Sequence, residues 1–153
     1  MARKKKPLLE KDYTYNKERK KYKPLLEVWV GTQTSKKKVI ALVDTGCTTC
    51  VHLCKAYVEK MKLVFIKKMN RESLPFGVAD GHTINGDKYK AICQINGEEK
   101  EIEVSVIDPE KFFREEEQPQ IKMVEPLLGR DLLDQYDVLF QGEKKKLIVY
   151  KPE

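Results

Sequence analysis

One carboxylate in this chain stands where an acid could be put to use. Asp44 follows the apolar run Val39-Ile40-Ala41-Leu42-Val43 and precedes Thr45-Gly46. An unpaired charge is costly inside an apolar strand. An acid at the point where such a run stops and a turn begins is therefore presented at a fixed place by a rigid element. A second set of reactive types lies just beyond it. Cys47, Cys50 and Cys54 are close together, His52 is among them, and Cys93 is distant. Cys47-x-x-Cys50 has the spacing of half a zinc or redox site, with His52 as a further candidate ligand. No second C-x-x-C pair accompanies it, so the thiols read as structural or incidental, with redox sensitivity as the alternative, and no metal is expected. A Cys-His protease built on Cys47 or Cys50 with His52 or His82 is the alternative nucleophile chemistry. It lacks a third, orienting residue.

The elements that must position these residues belong to one domain, since 153 residues suffice for a single core. No apolar stretch approaches the ~20 residues that span a bilayer. No apolar segment follows the basic start Met1-Ala2-Arg3-Lys4-Lys5-Lys6 as a secretory signal requires. A cytoplasmic address without membrane contact is the expectation, and disulfides are not expected there. The formal charge is +6, yet residues 1–23 alone carry +7, so the remainder is near neutral. Residues 1–23 read as a basic, flexible N-terminal tail and residues 24–153 as the folded domain. A solvated terminus is the favoured reading of that tail, and contact with nucleic acid is the alternative. Tyr13, Tyr15 and Tyr22 lie among the charges and serve either a binding role or packing onto the domain.

Along the domain, residues 25–31 predict a strand with Val28 and Val30 on one face and Trp29 on the other. Trp29 is expected in the core or at a dimer contact. Residues 32–38 form a polar turn, and residues 39–43 predict a buried strand ending at Asp44. Residues 51–63 fit a short helix or a continuing strand equally. Residues 74–78 are apolar again, and residues 79–87 hold two glycines, an Asn and two Asp, as a hairpin loop does. Asp80, Asp87, Asp131 and His82 read as turn or cap residues. Residues 89–95 and the alternating Ile102, Val104 and Val106 predict two strands joined at Asn96-Gly97, a strong hairpin turn. Residues 111–120 form a charged loop. Residues 131–136 can form a short helix, and a last hairpin follows over residues 138–150. Many short strands with little helix predict an all-β protein, a small barrel or sandwich.

Three features in this order resemble the retropepsin-like aspartic proteases. They are the apolar strand ending in Asp44-Thr45-Gly46, the glycine-bearing hairpin at residues 79–86, and Leu127-Leu128-Gly129-Arg130-Asp131-Leu132-Leu133. The resemblance covers residues 25–151. It implies a small closed β-barrel of the retropepsin type with one short helix, working as a homodimer. The activity it implies is an aspartic endopeptidase that hydrolyses extended peptide or protein segments, with no cofactor. One Asp-Thr-Gly per chain is then half an active site, completed by the same residues of a second copy.

On this resemblance the two Asp44 carboxylates share a proton, because two charges ~3 Å apart are not both stable. One acts as general base on a water and the other hydrogen-bonds the peptide carbonyl. Thr45 links the two loops across the dimer axis, and Gly46 permits close approach of the backbone. Cys47 stands where Ala or Ser is usual. Ala79, Asp80, Gly81, His82, Thr83 and Ile84 correspond to the flap that closes over substrate. Leu128, Gly129 and Arg130 support the active-site loop from beneath. In viral members that Arg pairs with an acid just after the catalytic motif. Here the stretch is Cys47-Thr48-Thr49, so that ion pair is not carried over. The alternative function is a non-catalytic dimeric binding module of the same fold, with the basic tail as its contact arm.

Overall fold

The computed structural model describes residues 5–47, 51–69, 86–107 and 126–152. Two longer hairpins frame it. In the first, β4 (Leu25–Gly31) pairs antiparallel with β5 (Lys36–Val43), from Leu25 opposite Leu42 to Gly31 opposite Lys36. Val28 and Val30 are buried and Trp29 between them is exposed, as period-two alternation demands. Gly31 is needed where the turn closes, because a Cβ there would sit 2.1 Å from the Ser35 carbonyl oxygen.

The strand that leads to Asp44 differs from expectation. It alternates as well, with Val39, Ala41 and Val43 buried while Ile40 is 51% exposed. Its continuous apolar run looked like a strand covered on both faces, yet the outer face is open. Trp29, expected in the core or at a contact, lies on that outer face, 43% exposed in the single chain.

In the second hairpin, β8 (Gly86–Ile95) and β9 (Glu98–Ile107) pair along their whole length. Asn96 and Gly97 both have positive φ, 45° and 85°, which suits a two-residue turn whose twist matches its strands. Asp87, expected in a loop, lies inside β8 opposite Lys68 and Val106. The other edge of β8 is shared. Its first half pairs with β7 (Val64–Met69) and its second half with β4.

Between these hairpins run β6 (Val51–Cys54), a helical turn α1 (Lys55–Val58) and the two-residue strand β10 (Leu127–Leu128). The segment that sequence left open between helix and strand is thus one after the other. The sheet order is β4-β5-β10-β6-β9-β8-β7, with the further β4–β8 pairing turning the sheet back on itself. Leu26, Val28, Val39, Ala41, Leu53, Val104 and Leu128 share the core it encloses.

A second helical turn, α2 (Arg130–Leu133), leads into β11 (Asp137–Gln141) and β12 (Lys146–Tyr150). Residues 9–23, expected within a tail, carry three strands. Strand β1 (Leu9–Asp12) pairs with β12 to make the sheet β1-β12-β11, and Leu8, Leu9 and Tyr13 pack on the core. These apolar residues are what the charge count of the segment concealed. Strands β2 (Thr14–Asn16) and β3 (Lys21–Lys23) form a separate hairpin. The described chain is mostly β. None of its helices is long and apolar enough to cross a membrane.

Candidate active site

Strand β5 carries the chain inward through Val43 and delivers Asp44 half-buried at its end. The acid is therefore not sealed in an apolar interior. The Gly46 N–H donates to Asp44 Oδ1 at 2.9 Å, so the turn itself solvates the carboxylate. A backbone amide facing one oxygen also fixes the orientation of the carboxylate group. Cys47 N–H closes the turn on the Asp44 carbonyl at 3.2 Å. Thr45 and Gly46 are exposed and Cys47 is buried. A Cβ on Gly46 would lie 3.2 Å from Oδ1, so a larger residue would crowd the carboxylate.

The turn is seated by the segment around β10, which lies between β5 and β6 in the sheet. Leu128 lies parallel to Val43 on one side and antiparallel to Val51 on the other. The chain leaves β5, makes the Asp44 turn, and returns as β6 on the far side of β10. Four backbone bonds clamp this arrangement. Leu42 N–H donates to the Pro126 carbonyl at 2.8 Å, and Asp44 N–H donates to the Leu128 carbonyl at 3.0 Å. Arg130 N–H donates to the Cys47 carbonyl at 2.7 Å, and Val43 N–H donates to the Pro24 carbonyl at 3.0 Å. Leu128 and Gly129 are buried and Arg130 is exposed. Arg130 thus holds the loop through its amide, a role that no side-chain comparison reveals.

His52 sits on β6 beside this loop, opposite Leu127 and Ser105 in neighbouring strands, and is buried. Burial pushes its pKa down to about 4, so it is neutral at ordinary pH. Cys47, Cys54 and Cys93 are likewise buried. Among the described residues, no group of three or more His, Cys, Asp or Glu side chains is gathered as a metal ion would need.

Asp44, Thr45, Gly46 and Cys47 are brought together with Leu128, Gly129 and Arg130. The expected flap residues Ala79, Asp80, Gly81, His82, Thr83 and Ile84 lie outside the described residues, as do Cys50 and the loop at 111–120. What sequence reasoning missed is the backbone. The carbonyls of Pro24, Pro126 and Leu128 hold the strand that carries the acid, and carbonyls leave no signal in residue types. The only available hint was Pro24 and Pro126 each standing one residue before a short apolar pair.

No family model matches the chain, and no curated protein matches it. Among solved structures, the chain is similar to the EIAV protease complexed with the inhibitor HBY-793. Identity is 21% and the TM-score 0.49, with 79% of this chain and 91% of that chain covered.

Proposed function

We propose that this chain is an aspartic endopeptidase of the retropepsin type, active as a homodimer with one Asp44 from each copy. The observation that carries this reading is the seat of Asp44. A carboxylate stands at the end of a core strand, oriented by the Gly46 amide, in a turn clamped through Leu128 and Arg130. A carboxylate that serves only as a turn residue does not need a second segment inserted beneath it.

In the proposed dimer the two turns meet about a twofold axis and the carboxylates share one proton. The ionised Asp44 takes a proton from a water held between them as that water attacks the peptide carbonyl carbon. The protonated Asp44 donates to the carbonyl oxygen, giving a tetrahedral diol. Its collapse breaks the C–N bond as a proton passes to the leaving nitrogen. No cofactor enters this chemistry. On the retropepsin resemblance the substrate is an extended peptide segment, held by strand-like backbone pairing. The β4–β8 pairing supports the closed-barrel reading, because it joins the two ends of a six-strand circuit. The flap role of residues 79–84 belongs to the same proposal.

The test is digestion of an unfolded protein between about pH 4 and 7 by wild type and Asp44→Asn. Wild-type cleavage that falls by at least ~10²-fold in the variant is the expected result. Equal cleavage by both, or none by wild type in its dimeric form, overturns the reading. A statine-type transition-state mimic should block the wild-type activity.

A further inference from the structure

The hairpin β2–β3 takes no part in the candidate active site, and it is the most cationic segment described. Residues 14–23 hold five Lys or Arg against Glu18 alone. Tyr15 and Tyr22 are directly opposite across its two strands, with ring centroids 5.0 Å apart and planes tilted by 53°. They are 47% and 52% exposed, though a Tyr pair could have folded back onto the core as Tyr13 does. The turn between the strands is built, with Arg19 N–H donating to Asn16 Oδ1 at 2.9 Å and Lys20 at φ 50°. The fold adds more positive charge from the far end of the described sequence. Tyr13 N–H donates to the Lys145 carbonyl at 2.7 Å, and Asp12 is in register with Lys146. These contacts set the Lys144-Lys145-Lys146 turn beside the hairpin, with Lys145 Nζ 5.9 Å from the Tyr22 ring centroid.

We infer that this surface binds single-stranded nucleic acid, through base stacking on Tyr15 and Tyr22 and phosphate contacts to Lys17, Arg19, Lys20 and the 144–146 turn. Aromatic faces set in a cationic ribbon are what a flexible strand of unstacked bases requires. A duplex hides its base faces and cannot use the tyrosines. An anionic membrane is disfavoured, because residues 14–23 contain no Leu, Ile, Val, Phe, Met or Trp, and interfacial binding scales with buried apolar area. An acidic peptide would satisfy the charges and leave both rings idle.

The test uses the full chain and a fluorescently labelled 12-nucleotide oligouridine, read by anisotropy. Binding at about 50 mM salt is expected. Its log–log salt slope should be near −3, as roughly four phosphates neutralised on a single strand give. Tyr15→Leu with Tyr22→Leu should weaken binding by at least ~10-fold. Lys17→Gln with Arg19→Gln, in a turn that carries no core contact, should weaken it and flatten the slope. This pair keeps the question answerable if the tyrosine variant misfolds. Asp44→Asn should bind as wild type, which separates this surface from the proposed catalysis. Three outcomes overturn the inference: no binding to the oligonucleotide, equal binding by a folded Tyr15/Tyr22 variant, or preferential binding to phosphatidylserine vesicles or polyglutamate.

Discussion

Asp44 has its Oδ1 committed to the Gly46 amide, so the carboxylate meets any reactant in one orientation. That makes Gly46 sensitive in a specific way. In Gly46→Ala the new Cβ would stand 3.2 Å from Oδ1, and the carboxylate must give by a few tenths of an ångström. On the proposed mechanism, kcat should fall roughly tenfold with KM little changed, because misplacement of a reacting group acts on the chemical step. His52 offers a different residue-scale test. Its folded pKa is about 4 against 6.5 for the free side chain. Above pH 6.5 the imidazole is neutral in both states and stability is flat. Between 6.5 and 4 the unfolded chain binds the proton that the fold refuses, so stability falls with pH. The loss totals about 3 kcal/mol and saturates below the folded pKa. Urea midpoints measured across that range should drop in wild type and drop less in His52→Gln.

At the scale of elements, β10 does the most with the fewest residues. Leu128→Ala should destabilise the chain by about 2–5 kcal/mol, as removal of a fully buried Leu does. Activity measured at a temperature where the variant is still folded should fall too, since the same segment accepts the Asp44 amide. Urea unfolding and peptide cleavage on one preparation would separate the two effects. The strands that sequence revealed are those whose pattern is local. Val28 and Val30 against Trp29, the alternation of Ile102, Val104 and Val106, and the Asn96-Gly97 turn each announce themselves within a few residues. Strand β10 does not, because two residues are too few for a period and its partners are Val43 and Val51. Strand β1 was hidden by its charges, although Leu9 is in register with Val149. The Asp44 turn was legible from its residue types. The carbonyls that clamp it were not, because a backbone oxygen is the same in every residue.

For the whole molecule, the proposed half-site makes function a property of pairs. Wild type mixed with an equal amount of Asp44→Asn, after subunit exchange, should retain about half its activity. Threefold excess of the variant should leave about a quarter, since every mixed pair lacks one acid. Activity unchanged by mixing would place the complete chemistry within one copy. Specific activity should also fall on dilution below the dissociation constant, in step with the mass read by sedimentation.

The insertion of β10 between β5 and β6 also sets a timetable. Asp44 leaves the ribosome before the residues that seat it, since the carbonyl that receives its amide belongs to residue 128 and the amide that closes its turn to residue 130. A nascent chain arrested before those positions carries the acid on an unseated loop. On the proposed function, hydrolytic competence would therefore wait until residues 128–130 have been made and have folded back onto the turn, a contact between residues far apart in sequence.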